Sequence, residues 1–169
     1  MENQLELKHL APYLPYGLKC CLMGEIDEET DKPIQFLIEG ANTEFVEVWS
    51  NKTITDQWHY EDVFPILRSL SDLTKEIEVN GEIFLPIMRL YGGNNYKEYN
   101  YKIEVVDRPI LGKVIYISVE GLDNPCISFS LKNILNNQLD YDNWSLLFKW
   151  HFDVFGLIEK GLAIDINTL

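Results

Sequence analysis

From Tyr99 to Val105 the chain alternates with period two. Tyr99, Tyr101, Ile103 and Val105 fall on one side, Asn100, Lys102 and Glu104 on the other, which is the pattern of a strand with one face on a core. After Asp107-Arg108-Pro109, the run Lys113–Val119 places Val114, Tyr116 and Ser118 against Ile115, Ile117 and Val119, and the two segments predict a hairpin. Cys126–Leu131 predicts a further strand. Nearer the N-terminus, Gly17–Ile26 and Ile34–Glu39 flank the charged turn Asp27–Lys32, and Glu44–Trp49 follows after Asn42. Within that third segment Phe45 shares a face with Glu47 and Trp49 while Val46 and Val48 take the other, so neither face is cleanly apolar. Short strands with polar turns between them predict an antiparallel meander. Val63–Leu67 fits either a strand or the entry to a helix; Pro65, which lacks the N–H a ladder needs, argues against a central strand.

Asn80-Gly81 predicts a tight turn. Glu82–Tyr91 is ambiguous, since Ile83, Leu85 and Ile87 alternate while Ile83, Ile87 and Leu90 also fit a helix, and Gly92–Asn95 predicts a loop. Short helices are predicted within Leu5–Leu14, stopped by Pro15, and from Ser69, with an acid three residues on at Asp72, through Ile77. From Tyr141 the period lengthens: Trp144, Leu147, Phe148, His151, Phe152 and Phe155 follow the stripe of an amphipathic helix. Asp142 or Asn143 can cap its start and Gly161 can stop it. Each large apolar side chain so buried contributes about 1.5–3 kcal/mol before entropy, so this stripe is structural. The pattern as a whole predicts an α+β fold: a largely antiparallel sheet of about five to seven strands, one or two short helices, and a C-terminal amphipathic helix packed on the sheet. With no linker, repeat or low-complexity tract in the sequence, 1–169 reads as a single domain, a strand-rich body over 16–131 and a helical segment over 141–161.

With 46% apolar residues, a chain of this length needs no disulfide or metal to hold its core. Three cysteines, two of them adjacent (Cys20, Cys21 and Cys126), make a poor disulfide framework and predict reduced thiols in a reducing compartment. No signal-like N-terminal segment and no membrane-length apolar run occurs, so the expected location is the cytoplasm. The formal charge of −13 is concentrated early: residues 1–62 hold thirteen acids against four lysines. Such a field disfavours direct binding to nucleic acid or anionic membranes and favours a protein partner with a basic surface; it also serves solubility alone.

Candidate chemistry is sparse. Glu25, Asp27, Glu29 and Asp31 alternate as in a calcium loop, but Lys32 stands where that loop requires glycine and Ile38 where its last glutamate belongs. His9, His59 and His151 have no zinc spacing. His151 and Asp153 resemble half of a proton relay, and Cys126 is a lone thiol, with no nucleophile motif beside either. No catalytic residue, metal ligand or cofactor is therefore expected. Trp58, His59 and Tyr60, with Trp49 nearby, form an aromatic group in a polar stretch, which fits either an interface anchor or rings tucked back onto the sheet. The binding candidates are these three residues with the acids Glu25, Asp27, Glu29, Asp31, Glu44 and Glu47.

Three stretches carry a resemblance: His9–Lys19, Pro65–Ile77 and above all the tail Trp150–Asn167. They resemble segments of a family of small uncharacterised proteins encoded by phages and prophages of Bacteroidetes, over a quarter to a third of the chain. The resemblance implies a phage context in a bacterial host cell and supplies no catalytic residue. The expected function is a non-catalytic, acidic interaction module acting on a host factor, with an enzyme of nonstandard site or a phage structural component as alternatives.

Overall fold

The computed structural model describes residues 4–50, 54–92, 100–109, 112–119, 127–130 and 139–169. The chain gathers into two compact units, Met1–Ser69 with Leu147–Leu169, and Leu70–Leu146. A mixed six-stranded sheet, two small antiparallel sheets and a few short helices make the α+β class.

The first unit is built on the predicted meander. Strands β1 (Lys19–Ile26), β2 (Pro33–Ala41), β3 (Phe45–Ser50) and β4 (Ile54–His59) run antiparallel, and β5 (Val63–Leu67) returns to pair with β1. With the two-residue β11 (Ile164–Asp165), the sheet order is β11-β5-β1-β2-β3-β4. Only the single 3₁₀ turn Tyr60–Asp62 joins β4 to β5, yet the two strands stand four places apart. In a flat sheet that is roughly 19 Å, whereas the four residue steps from His59 to Val63 reach at most about 14 Å. The sheet therefore curls towards a barrel, and its concave side collects Cys20, Leu22, Ile38, Val46, Val48 and Val63, all buried. Cys20 and Cys21 are free thiols; burial pushes Cys20 up to about 12 and raises Cys21 as well, so both are held as inert thiols.

Pro65 stands inside β5 opposite Cys20, and β11 pairs in parallel only with Ile66 and Leu67. At Pro65 the strand thus has one registered partner, and the missing N–H is tolerated as on an edge.

The predicted C-terminal helix is shorter than expected. Its helical part (α3 in chain order) covers Tyr141–Lys149, not 141–161. His151 takes φ 58°, its N–H donates to the Phe148 carbonyl (3.0 Å), and the Phe152 N–H donates to the Leu147 carbonyl (2.9 Å). That is a Schellman stop with His151 at the left-handed position usually given to glycine. The chain then runs beside β5: the Arg68 N–H donates to the His151 carbonyl and the Asp153 N–H to the Arg68 carbonyl, each at 2.8 Å. Gly161, φ 70°, ends a second, single turn by the same pair of bonds, Leu162 N–H to Leu157 and Gly161 N–H to Ile158. The predicted stripe is covered only in part: Leu147 and Phe152 are buried, while Trp144, Phe148, His151 and Phe155 are half-buried; beyond Lys149 it is held by turns and a strand-like bridge. Tyr13, on the turn after α1 (Leu7–Leu10), donates its hydroxyl to the Phe152 carbonyl at 2.7 Å and accepts from the Val154 N–H at 3.3 Å.

In the second unit, Asn80 (φ 53°) and Gly81 (φ 80°) form the predicted turn between β6 (Ile77–Val79) and β7 (Glu82–Phe84). The ambiguous stretch after it divides into β7 and the helix α2 (Pro86–Gly92). A 3₁₀ turn, Leu70–Thr74, replaces the helix expected after Ser69. The predicted hairpin is present as β8 (Tyr101–Arg108) and β9 (Gly112–Val119), with β10 (Ile127–Ser130) antiparallel to β9. Val114, Ile115 and Ile117 are buried. Tyr99, Cys126 and the loop from Gly93 lie outside the described residues.

Candidate functional site

The split face of β3 decides where chemistry can be displayed. Val46 and Val48 are buried, which turns Phe45, Glu47 and Trp49 to the convex side. Register carries that side across β4, with Phe45 opposite His59, Glu47 opposite Gln57 and Trp49 opposite Thr55, and across β2, with Trp49 opposite Leu37 and Glu47 opposite Gly40. Trp49 is 43% exposed; Leu37, Phe45 and Glu47 are half-buried and His59 exposed. Gly40 leaves room beside Glu47: a Cβ there would come within 3.2 Å of Glu47 Oε2. Gln57 Nε2 donates to Glu47 Oε1 at 3.4 Å. The cation in this cross-strand row is Lys19, opposite Leu37 on β1.

One end of this surface is fixed by Asn42. Its side-chain oxygen accepts from the N–H groups of Glu44 (2.8 Å) and Phe45 (3.0 Å), an Asx turn that projects Glu44 into solvent. Tyr60 is buried, its hydroxyl donating to the Asn42 carbonyl, and burial raises its pKa. Trp58 lies opposite Val46 and is half-buried. The three aromatic candidates therefore separate: Tyr60 anchors the turn, Trp58 belongs to the concave side, and His59 faces out. Trp49 is the large exposed ring among these candidates, with Leu37 opposite it in register, a residue that sequence reasoning did not single out. The alternation Phe45-Glu47-Trp49 was the available signal for this face.

The other acids stand elsewhere. Glu25, Asp27, Glu29 and Asp31 gather at the β1–β2 turn, at the opposite end of β2 and roughly 25 Å from the Asn42 turn by strand rise. Asp27 Oδ1 accepts from Glu29 N–H (3.1 Å), Thr30 N–H (2.8 Å) and Thr30 Oγ1 (2.8 Å). These bonds hold its carboxyl below the usual range and spend it on shaping the turn. Among the described residues, no three His, Cys, Asp or Glu side chains come together to hold a metal ion.

His151 and Asp153 are likewise engaged by the fold. The imidazole Nε2 lies 3.1 Å from the Tyr16 carbonyl, and its pKa is lowered chiefly by burial, with Arg68 and Lys19 contributing. The Asp153 oxygens accept from the N–H groups of Leu157 and Ile158, each at 2.8 Å. His9 is buried, accepting from the Glu6 N–H at 3.1 Å, with its ring edge-on to Phe155. A cavity of about 170 Å³ lined by Leu5, Tyr60, Val63, Phe64 and Leu162 is below the roughly 300 Å³ of small-molecule sites.

The chain matches no protein-family model, no curated protein and no solved structure. Among the described residues, no helix is long and apolar enough to cross a membrane.

Proposed function

We propose that this chain is a non-catalytic interaction module that docks a partner protein with a basic surface on the convex face of β2, β3 and β4. The observation that carries this reading is Trp49, a large ring left 43% exposed on the convex face near the Ser50 end of β3, with Leu37 opposite it in register and Glu47 and Phe45 further along the same face. An exposed tryptophan on a face it shares with half-buried Leu37 and Phe45 has the composition of an interface anchor, and Glu47 on the same face with Glu44 at the Asn42 turn supplies charge that a basic partner complements. The net charge of −13 steers such a partner and disfavours direct binding to nucleic acid or an anionic membrane. The acids of the β1–β2 turn lie outside this contact. A phage or prophage origin and a host factor as target rest on the resemblance of Trp150–Asn167 and the shorter stretches; a cytoplasmic location rests on the free, buried Cys20 and Cys21.

The test is affinity capture from bacterial lysate with the protein and its Trp49→Ala/Glu47→Lys variant, both checked for native circular dichroism. A protein retained at low salt by the first, released at about 0.5 M salt as expected for screened charges and absent from the second supports the reading. Equal retention by both contradicts it.

A further inference from the structure

Resting on that reading, we propose that the partner's docking segment is an extended, lysine- or arginine-bearing strand that adds to the outer edge of β4. The edges of the sheets differ in how they are protected. β11 offers two residues, and β8 carries Lys102, Glu104, Asp107 and Arg108 along its length. β4 runs six residues in unbroken register with β3, contains no proline, lysine or arginine, and among the described residues nothing pairs with its outer side. Proline, lysine, bulges, shortness and charge are the usual ways an edge is closed to further pairing; β4 has none of the first four and a single charge, Asp56, which bars an acidic strand and admits a basic one, so every second residue directs its N–H and C=O outward as a template for an added strand.

The charge around this edge selects the incoming strand. Asp56 is exposed on the concave side of β4, opposite Val48 in register and on the other face from Trp49, so an added strand meets it along the edge; Glu44 and Glu61 are exposed at the His59 end. A strand laid about 4.8 Å from β4 brings alternate side chains alongside Asp56, where a cation is favoured and a carboxylate repelled. A second copy of this chain is the poorer occupant, because it brings together two molecules each at −13.

The experiment uses three capped eight-residue peptides: alternating lysine and valine, the same with glutamate for lysine, and the lysine peptide with every interior amide N-methylated, which keeps the charge and removes the donors. The lysine peptide is expected to bind, with affinity falling as salt rises, and to slow amide exchange at alternate residues of Ile54–His59. The N-methylated peptide is expected to bind at least tenfold more weakly, the glutamate peptide not at all, and Asp56→Lys to weaken the lysine peptide at least tenfold while native circular dichroism is kept. Equal binding of the methylated peptide overturns strand addition and leaves the basic-partner reading standing. No binding of the lysine peptide, and no change in tryptophan fluorescence that is lost in Trp49→Phe, overturns both. Self-association by sedimentation that protects the same β4 amides without peptide overturns the proposal in favour of a second copy.

Discussion

The two long sides of the six-stranded sheet are finished in opposite ways. Along β5, the C-terminal segment closes the edge twice, by the Arg68 bridge to Phe152 and by β11 at Ile66 and Leu67, with Tyr13 bonded to the Phe152 carbonyl. Along β4, nothing among the described residues does so. The titratable groups that looked most like a relay, His151 and Asp153, belong to the closed side, where their bonds hold turns. Trp49, Glu47 and His59 belong to the open side, where Glu47 makes a 3.4 Å cross-strand bond with Gln57 and Trp49 and His59 are exposed. Polar groups bonded to backbone inside the fold mark the seal, and exposed apolar and acidic side chains mark the contact surface.

Substitutions can break this contrast in order of size. Phe152→Ala removes a fully buried ring from the seal and is expected to cost about 3–5 kcal/mol in urea unfolding. Tyr13→Phe keeps the ring, edge-on to Phe148, but leaves the Phe152 carbonyl without its hydroxyl; a loss of about 1–2 kcal/mol is expected by the same measurement. His151 gives a smaller, pH-dependent effect. Its pKa is lowered in the fold, so its neutral form is favoured there. The stability this provides is full above the unfolded value of about 6.5 and is lost as pH falls through that value towards the lowered folded one. His151→Asn, which tolerates the left-handed backbone, is expected to flatten the stability profile between pH 7 and 5; an unchanged slope would remove His151 from the account. On the open side, Trp49→Ala and Asp56→Lys are expected to change stability by no more than about 0.5 kcal/mol, and a loss of several kcal/mol from either would show that the face is part of the core.

Much of the first unit's meander and the β8–β9 hairpin was legible in period-two alternation, and the β6–β7 turn in Asn80-Gly81, because these signals are local. The split of β3 into Val46 and Val48 against Phe45, Glu47 and Trp49 was legible as well, but which side faces the core is set by the curl of the sheet, which depends on the short Tyr60–Asp62 connection. The helix stop at His151 was hidden, since the spacing of Phe152 and Phe155 continues the helical stripe and no glycine marks the left-handed residue; a tertiary bridge to Arg68 overrides the local period. Gly161 was read correctly as a stop, though of a separate turn. The acids of 25–31 and 44–47 were grouped by sequence proximity, and the length of β2 sets them at opposite ends.

Residue-resolved amide hydrogen exchange on the intact chain tests the contrast between the sealed and open edges most directly. The N–H groups of Arg68 and Asp153 are expected to exchange only with global unfolding, while alternate N–H groups between Thr55 and His59 exchange at least a hundredfold faster. Uniform protection along β4, at the level of Arg68, would show that this edge is covered and would contradict that contrast.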